Sequence, residues 1–388
     1  MVISQFHPII GGAEKQAQLL SEILVEKGIQ VHVVTGWWKF RTPREEILNG
    51  VHIFRNFSFW GMFRIRGLRP FAALAYMATL GMYLVMHRRE YDIIHVHQAL
   101  HPAFMSVLVA KQILGKPVIV KTASSGITSD IKQLERVPLG GFQLRYLLKK
   151  MDCLVSVSKL GGMEFEEIGF PRPQIEYIPN GVLFPGDGKA NHGQVKRVIT
   201  TARLSQEKGI DVLLKAWANV VQEEKNLKLI IMGDGPLAKE LEKLSISLGV
   251  MESVEFTGMV QNSAQYLKQA DLFVLPSRSE GLSNALLEAM SYGLPCIATN
   301  VGGNTELAGE DGQKKIDSGK FIIGKNGFLV NPEDVAGLSE AMLYLIRNVD
   351  EEGKIAAMGR QFIHENYSID RIADRYIGLY QRMLEGRS

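Results

Sequence analysis

Short apolar runs alternate with longer stretches of helical periodicity along nearly the whole chain, and the alternation halts and restarts once. Such a chain folds into parallel sheets covered by helices, because each strand reaches its neighbour through a helical crossover. In the first half, 1–6, 30–35, 92–96, 117–121 and 153–157 predict strands, and 13–27, 70–88, 102–114 and 160–168 predict helices. The break falls at Ile178-Pro179-Asn180-Gly181, which is turn chemistry, and the polar, glycine-rich stretch 185–193 follows. Beyond it, 196–202, 227–232, 253–256, 271–275 and 295–299 predict strands. Helices are predicted at 209–224, 236–248, 263–269 and 283–292, and the tail from 333 is almost wholly helical.

A chain of 388 residues exceeds what one hydrophobic core usually serves, so two domains are expected. The predicted fold class is α/β: a Rossmann-like domain at 1–182, a linker at 183–195, a second Rossmann-like domain at 196–366, and a helix at 367–388 crossing back to the first. Two such domains facing each other across a deep cleft place the carboxyl ends of both sheets where ligands bind. Cys153 and Cys296 lie in apolar, strand-like runs and read as buried thiols of a reducing compartment. The start lacks the basic head and long apolar run of a signal peptide, which predicts a cytoplasmic location.

The net charge of +3 hides an asymmetry: residues 1–190 carry +7 and the remainder −4. A basic first half suits an anionic partner such as lipid head groups, a phosphorylated carrier or an acidic glycan, and equally suits solvated surface. Trp60, Phe63 and Phe71 interleave with Arg64, Arg66 and Arg69, ahead of an uncharged run from Phe71 to Met86. Sixteen residues are short for a membrane span, so 71–86 reads as a core helix. The aromatic and arginine segment before it either lies against a membrane interface, at the inner face, or forms an acceptor loop.

Chemistry concentrates in four places. Behind the run 271–276 stand Glu280-Gly281-Leu282-Ser283 and then a helix carrying Glu288, so two carboxylates sit beside free backbone N–H groups. Ribose and sugar hydroxyls next to a diphosphate fit that arrangement. Gly11-Gly12 opens the first helix, where backbone approaches a phosphate closely. Arg203 and Lys208 flank the loop after the first strand of the second half; they grip a diphosphate or are solvated cations. Gly233, Gly235 and Ala238 satisfy dinucleotide-binding spacing, with Glu255 about twenty residues on. That spacing offers a nicotinamide-dependent dehydrogenase as the alternative, except that Glu255 falls inside its strand, short of the carboxyl end. A non-catalytic nucleotide-sugar binding module is the other alternative.

Taken together, Gly-Gly-Ala-Glu at 11–14, Arg203 with Lys208, Gly-Asp-Gly-Pro at 233–236 and Glu280 with Glu288 resemble the family 4 retaining glycosyltransferases of the GT-B fold. Ile178 to Val182 and Phe256-Thr257-Gly258 extend the resemblance over nearly the whole chain. It implies that Arg203 and Lys208 stabilise a leaving diphosphate, helped by the Gly12 backbone. Glu288 then holds the ribose, the base rests near Gly258 and Met259, and Gly233 lies beside the nucleotide. Glu280, with Gly281 and the amides of Leu282 and Ser283, holds the donor sugar. No Asp-x-Asp occurs, and the resemblance implies no cofactor and no metal: cations and helix ends do the electrostatic work.

Many relatives place a histidine before the acceptor pocket, but Val118 to Gly126 contains none. Lys121, Thr122, Ser124 and Asp130 are the acceptor-side candidates. His97 is a further one, unless it is a satisfied structural histidine. The expected activity is hexosyl transfer from a nucleoside diphosphate sugar, a UDP-sugar such as UDP-glucose by family habit, to a glycan or lipid-linked acceptor. No nucleic-acid partner is expected.

Overall fold

The computed structural model describes residues 1–388 except 10, 40, 59–68, 125–128, 138, 187–193, 261, 311–314 and 387–388. Trp60, Phe63, Arg64 and Arg66 lie outside the described residues, as do Ile10, Ser125, Gly126 and most of the glycine-rich stretch; for Arg69 and Phe71 only the backbone is described. The chain divides into two compact units, Met1–Gly181 with Ile369–Ser388, and Val182–Ser368. Residues 183–186, 194 and 195 of the expected linker thus fall in the second unit, and the final helix in the first.

The first unit holds an eight-stranded sheet: β1 (Val2–Ile3), β2 (His32–Trp37), β3 (Glu45–Leu48), β4 (Val51–Phe57), β5 (Ile94–His97), β6 (Val118–Lys121), β7 (Cys153–Ser156) and β8 (Ile175–Tyr177), in the order β3-β4-β2-β1-β5-β6-β7-β8. All neighbours run parallel except β3 and β4. That pair is a hairpin which strand–helix alternation does not predict. Asn49 (φ 49°) and Gly50 (φ 79°) sit between the paired residues Leu48 and Val51, the left-handed two-residue turn that Asn-Gly favours.

Period-two alternation sorts the strands' side chains onto two faces. Val96, Val118, Val120 and Leu154 pack with helices Arg69–Met86, His101–Ser106 and Gly140–Lys150. Ile119, Cys153 and Val155 pack on the other face with helices Gly12–Glu26 and Ile369–Glu385. A π-helical stretch, Val107–Ile113, continues the helix that begins at His101. Gln16 fixes Gly181 at the end of the first segment, donating to its carbonyl (2.8 Å) and accepting from its amide (3.1 Å).

The second unit holds β9 (Arg197–Thr201), β10 (Lys228–Met232), β11 (Val254–Gly258), β12 (Leu272–Leu275), β13 (Cys296–Thr299), β14 (Phe321–Ile323) and β15 (Phe328–Val330), in the order β11-β10-β9-β12-β13-β15-β14. Its core surrounds Trp217 of helix Ile210–Glu223. The order reverses between β9 and β12, which makes their carboxyl ends a topological switch point, the usual ligand position in open α/β sheets. Both cysteines are buried and free. Among the described residues no helix is long and apolar enough to cross a membrane.

Candidate active site

Because β9 and β12 are neighbours, the loops that leave their carboxyl ends touch. The amide of Arg278 donates to the carbonyl of Glu207 at 2.8 Å. The Arg278 guanidinium grips Asp211 bidentately (2.8 Å each) and also pairs with Glu333, tying three segments together. These two carboxylates hold the Arg278 guanidinium in its charged form, above its ordinary range, and it draws the Asp211 carboxyl below the usual one, against the effect of partial burial. Sequence reading missed Arg278, since partners 67 and 55 residues away leave no local signal.

Across this junction Lys208 Nζ and Glu280 Oε1 stand 2.7 Å apart. Ser277 Oγ donates to the same oxygen at 2.7 Å, and the Glu280 side chain is almost wholly buried. The next residues open helix Asn284–Ser291: Ser283 caps it, its Oγ accepting from the Leu286 amide at 3.3 Å, and Gly281 accepts from the Gly303 amide at 2.8 Å. Leu282 is buried behind the cap. Glu288 lies half-buried on this helix and accepts from Ser263 Oγ at 2.6 Å. The Arg203 side chain, by contrast, is exposed and makes no hydrogen bond or ion pair among the described residues, whereas its carbonyl accepts from the Ser205 amide at 2.9 Å.

Gly233 has φ 137°, and a Cβ there would lie 1.9 Å from the carbonyl oxygen of Ala202, so glycine is required for the β9 and β10 loops to meet. Its amide donates to Gly258 (2.9 Å), beyond which Met259 is exposed. Glu255 stands one residue into β11, three short of its end.

In the first unit Gly12 is the exposed first residue of its helix, behind the extended N-cap Gly11. His97 pairs in register with Lys121, and both are buried. His97 stacks on His95 (centroids 4.4 Å apart), and His95 Nδ1 meets the Tyr380 hydroxyl at 2.7 Å. Burial first, and the neighbouring Lys121 next, keep His95 neutral; His97 is held neutral by burial, then His95, then Lys121. Lys121 Nζ lies 5.6 Å over the Tyr376 ring, and burial lowers its pKa to about 7. Thr122 Oγ1 and His97 Nε2 are buried with no hydrogen-bond partner among the described residues. Asp130 accepts from the amides of Ala99 and Ala123 and from Ser124 Oγ, each at 3.0 Å. Burial raises its pKa while those donors oppose the shift. Among the described residues no three His, Cys, Asp or Glu side chains converge as metal ligands.

The two sheets and their helices define a two-domain α/β protein whose second sheet has a topological switch point at the carboxyl ends of β9 and β12. Residues 10–182 match the family described as Glycosyltransferase Family 4, and residues 195–348 match Glycosyl transferases group 1. The chain is 26% identical to N-acetyl-alpha-D-glucosaminyl L-malate synthase of Bacillus anthracis over 97% of its own length and 96% of that protein's. It is 33% identical to alpha-monoglucosyldiacylglycerol synthase of Streptococcus pneumoniae over 57% of this chain and 49% of that one. Sucrose-phosphate synthase from Thermosynechococcus elongatus superposes with a TM-score of 0.79 at 20% identity, covering 99% of each chain. Anabaena HepE in complex with UDP-glucose gives a TM-score of 0.73 at 18% identity, covering 98% of this chain and 99% of that one. The chain belongs to the family 4 glycosyltransferases, has the GT-B fold, and is a glycosyltransferase that uses nucleotide-sugar donors.

Proposed function

We propose that this enzyme moves a hexose from a UDP-sugar, UDP-glucose foremost, onto a hydroxyl of a glycan or lipid-linked acceptor, with retention of anomeric configuration and without a metal. The observation that carries the reading is the Lys208–Glu280 pair at the switch point, its carboxylate buried, directly ahead of the capped helix that bears Glu288. HepE binds UDP-glucose, and the pneumococcal relative is named for a lipid product, which supports the donor and the acceptor class.

In this mechanism the bond from the anomeric carbon to the diphosphate breaks ahead of attack, and its electron pair passes to the leaving oxygen. The Arg203 guanidinium and Lys208 ammonium meet that charge. The acceptor oxygen bonds on the same face and gives its proton to the diphosphate. Glu280, its carboxylate oriented by Lys208 and Ser277, takes hydrogen bonds from sugar hydroxyls beside Gly281 and the amides of Leu282 and Ser283. Glu288 accepts from the ribose diol, and Gly233, Gly258 and Met259 line the nucleotide's seat. On the acceptor side, Lys121, Thr122, Ser124, Asp130 and His97 remain the candidates.

The test is a donor screen read as free sugar released without acceptor, followed by proton NMR of the anomeric configuration of the product. UDP-glucose is expected to turn over slowly with water, and excess chelator is expected to leave the rate unchanged. A thermal shift with NAD and none with UDP would overturn the reading in favour of a dehydrogenase. UDP binding with no donor turnover would overturn it in favour of a binding module. Glu288→Ala is expected to weaken UDP by about 2 kcal/mol, roughly 30-fold, because a carboxylate that accepts from two hydroxyls is lost. Calorimetric titration giving the wild-type Kd would remove Glu288 from the ribose.

A further inference from the structure

Helices Arg69–Met86, His101–Ser106 with Val107–Ile113, and Gly140–Lys150, on one face of the first unit's sheet, contain no Asp or Glu. Two other helices that pack on the same core carry the acidic residues of that face: Asp130–Glu135, with those two carboxylates, and Lys159–Glu167, with Glu164, Glu166 and Glu167.

The same layer exposes apolar side chains. Leu74, Met82, Met86, Ile113, Leu139 and Phe142 are each 53% to 76% exposed. Leu74, Ala78, Met82 and Met86 recur every four residues, so they form one stripe along the outside of their helix. Phe142 edges against Phe104 (6.0 Å), and Met105, next to Phe104, packs on Gly81 of the stripe's helix. The two apolar patches therefore flank a shared helix. Exposed Arg88 and Arg89 follow the first patch, and exposed Arg145, Lys149 and Lys150 follow the second. The exposed carboxylates at the margins, Glu90, Asp92 and Glu135, are outnumbered by these cations together with Lys132 and Arg136.

We propose that this three-helix face docks on an anionic lipid bilayer, the stripe lying flat at the level of the head groups and the cations meeting lipid phosphates. Apolar residues that enter the interface beside cations that stay in it are the physical requirement for such binding. A second copy of this chain would bring the same cations against each other, and a polar glycan would leave the stripe wet. Docking here places an acceptor-binding unit on the surface where a lipid-linked acceptor lies. To that extent the inference deepens the acceptor class proposed above, yet vesicle binding itself requires no sugar transfer, so either can fail alone.

The experiment is flotation of the full chain with vesicles of phosphatidylglycerol and phosphatidylcholine, and with phosphatidylcholine alone. Two variants accompany it: Met82→Ser/Met86→Ser/Phe142→Ser, and Arg145→Ser/Lys149→Ser/Lys150→Ser. Wild type is expected to float with the anionic vesicles only, and less so at high salt. The charge variant is expected to lose roughly 100-fold in partitioning, about fivefold per cation. The apolar variant is expected to lose at least as much, at roughly tenfold per side chain. UDP-glucose hydrolysis and the melting profile are expected to match wild type in both, since every altered side chain is largely exposed. Absence of wild-type flotation overturns the proposal, as does flotation that neither variant alters. Wild-type self-association abolished by the apolar variant, without vesicle binding, overturns it in favour of a dimer interface.

Discussion

Arg203→Ala is expected to lower kcat by about two to three powers of ten, with KM for the donor changed much less. Negative charge on the diphosphate peaks as the glycosidic bond breaks, so a cation aimed at it acts mainly in the transition state. Arg203 suits this test better than Lys208 does. Its side chain is exposed at the carboxyl end of β9 and holds nothing else in place among the described residues. Its loss leaves the fold as it was, within about 0.5 kcal/mol. Lys208→Ala, in contrast, strands the buried Glu280 carboxylate 2.7 Å away, mixing stability with chemistry. Arg203→Lys is expected to recover part of the rate, because a point charge replaces a fork of donors. The measurement is steady-state turnover of UDP-glucose beside a calorimetric scan, and an alanine variant within threefold of wild type would reject the role.

Much of this architecture was readable from the chain, and the exceptions have physical reasons. Apolar runs gave β6, β7, β10, β12 and β13, since strands buried on both faces are mostly apolar, and β5 and β9 followed from their place in the alternation although His95, His97, Thr200 and Thr201 interrupt their apolar residues. The β3–β4 hairpin was missed although its signal was present. Asn49-Gly50 between Glu45–Leu48 and Val51–Phe57 is a left-handed turn written in two residues. Strands β8, β14 and β15 have three residues each, too few to show a period. Helix Gly140–Lys150 follows a left-handed Leu139 with no side-chain cap, so nothing local marks its start. Within the candidate site, motif spacing located the loops but not their pairing. Lys208 and Glu280 are 72 residues apart, and only the reversal of strand order between β9 and β12 brings them together. Likewise, Tyr376 and Tyr380 on the final helix complete the His95, His97 and Lys121 cluster, a contact that no local pattern encodes.

That cluster yields the second large effect. Lys121→Met is expected to stabilise the first unit by about 1–3 kcal/mol at neutral pH, because it removes a buried cation and keeps the side chain's length. The groups facing Lys121 are His95 and His97 from β5 and Tyr376 from helix Ile369–Glu385, and none of these supplies a negative charge at neutral pH. Unfolded, the ammonium titrates near 10.5; folded, burial brings it to about 7. Between those values the unfolded chain holds a proton that the folded chain lacks, so wild-type stability climbs as pH rises from about 7 toward 10.5. The advantage of the methionine variant should therefore be greatest below pH 7 and shrink steadily above it. Scanning calorimetry from acid to alkaline pH reads this directly, with a rise of roughly 3–8 °C in the first unit's transition at neutral pH. An advantage that stays constant with pH would show that Lys121 is not held neutral by burial. A variant that gains stability and loses transfer to acceptor, while donor hydrolysis persists, would place the ammonium at the acceptor.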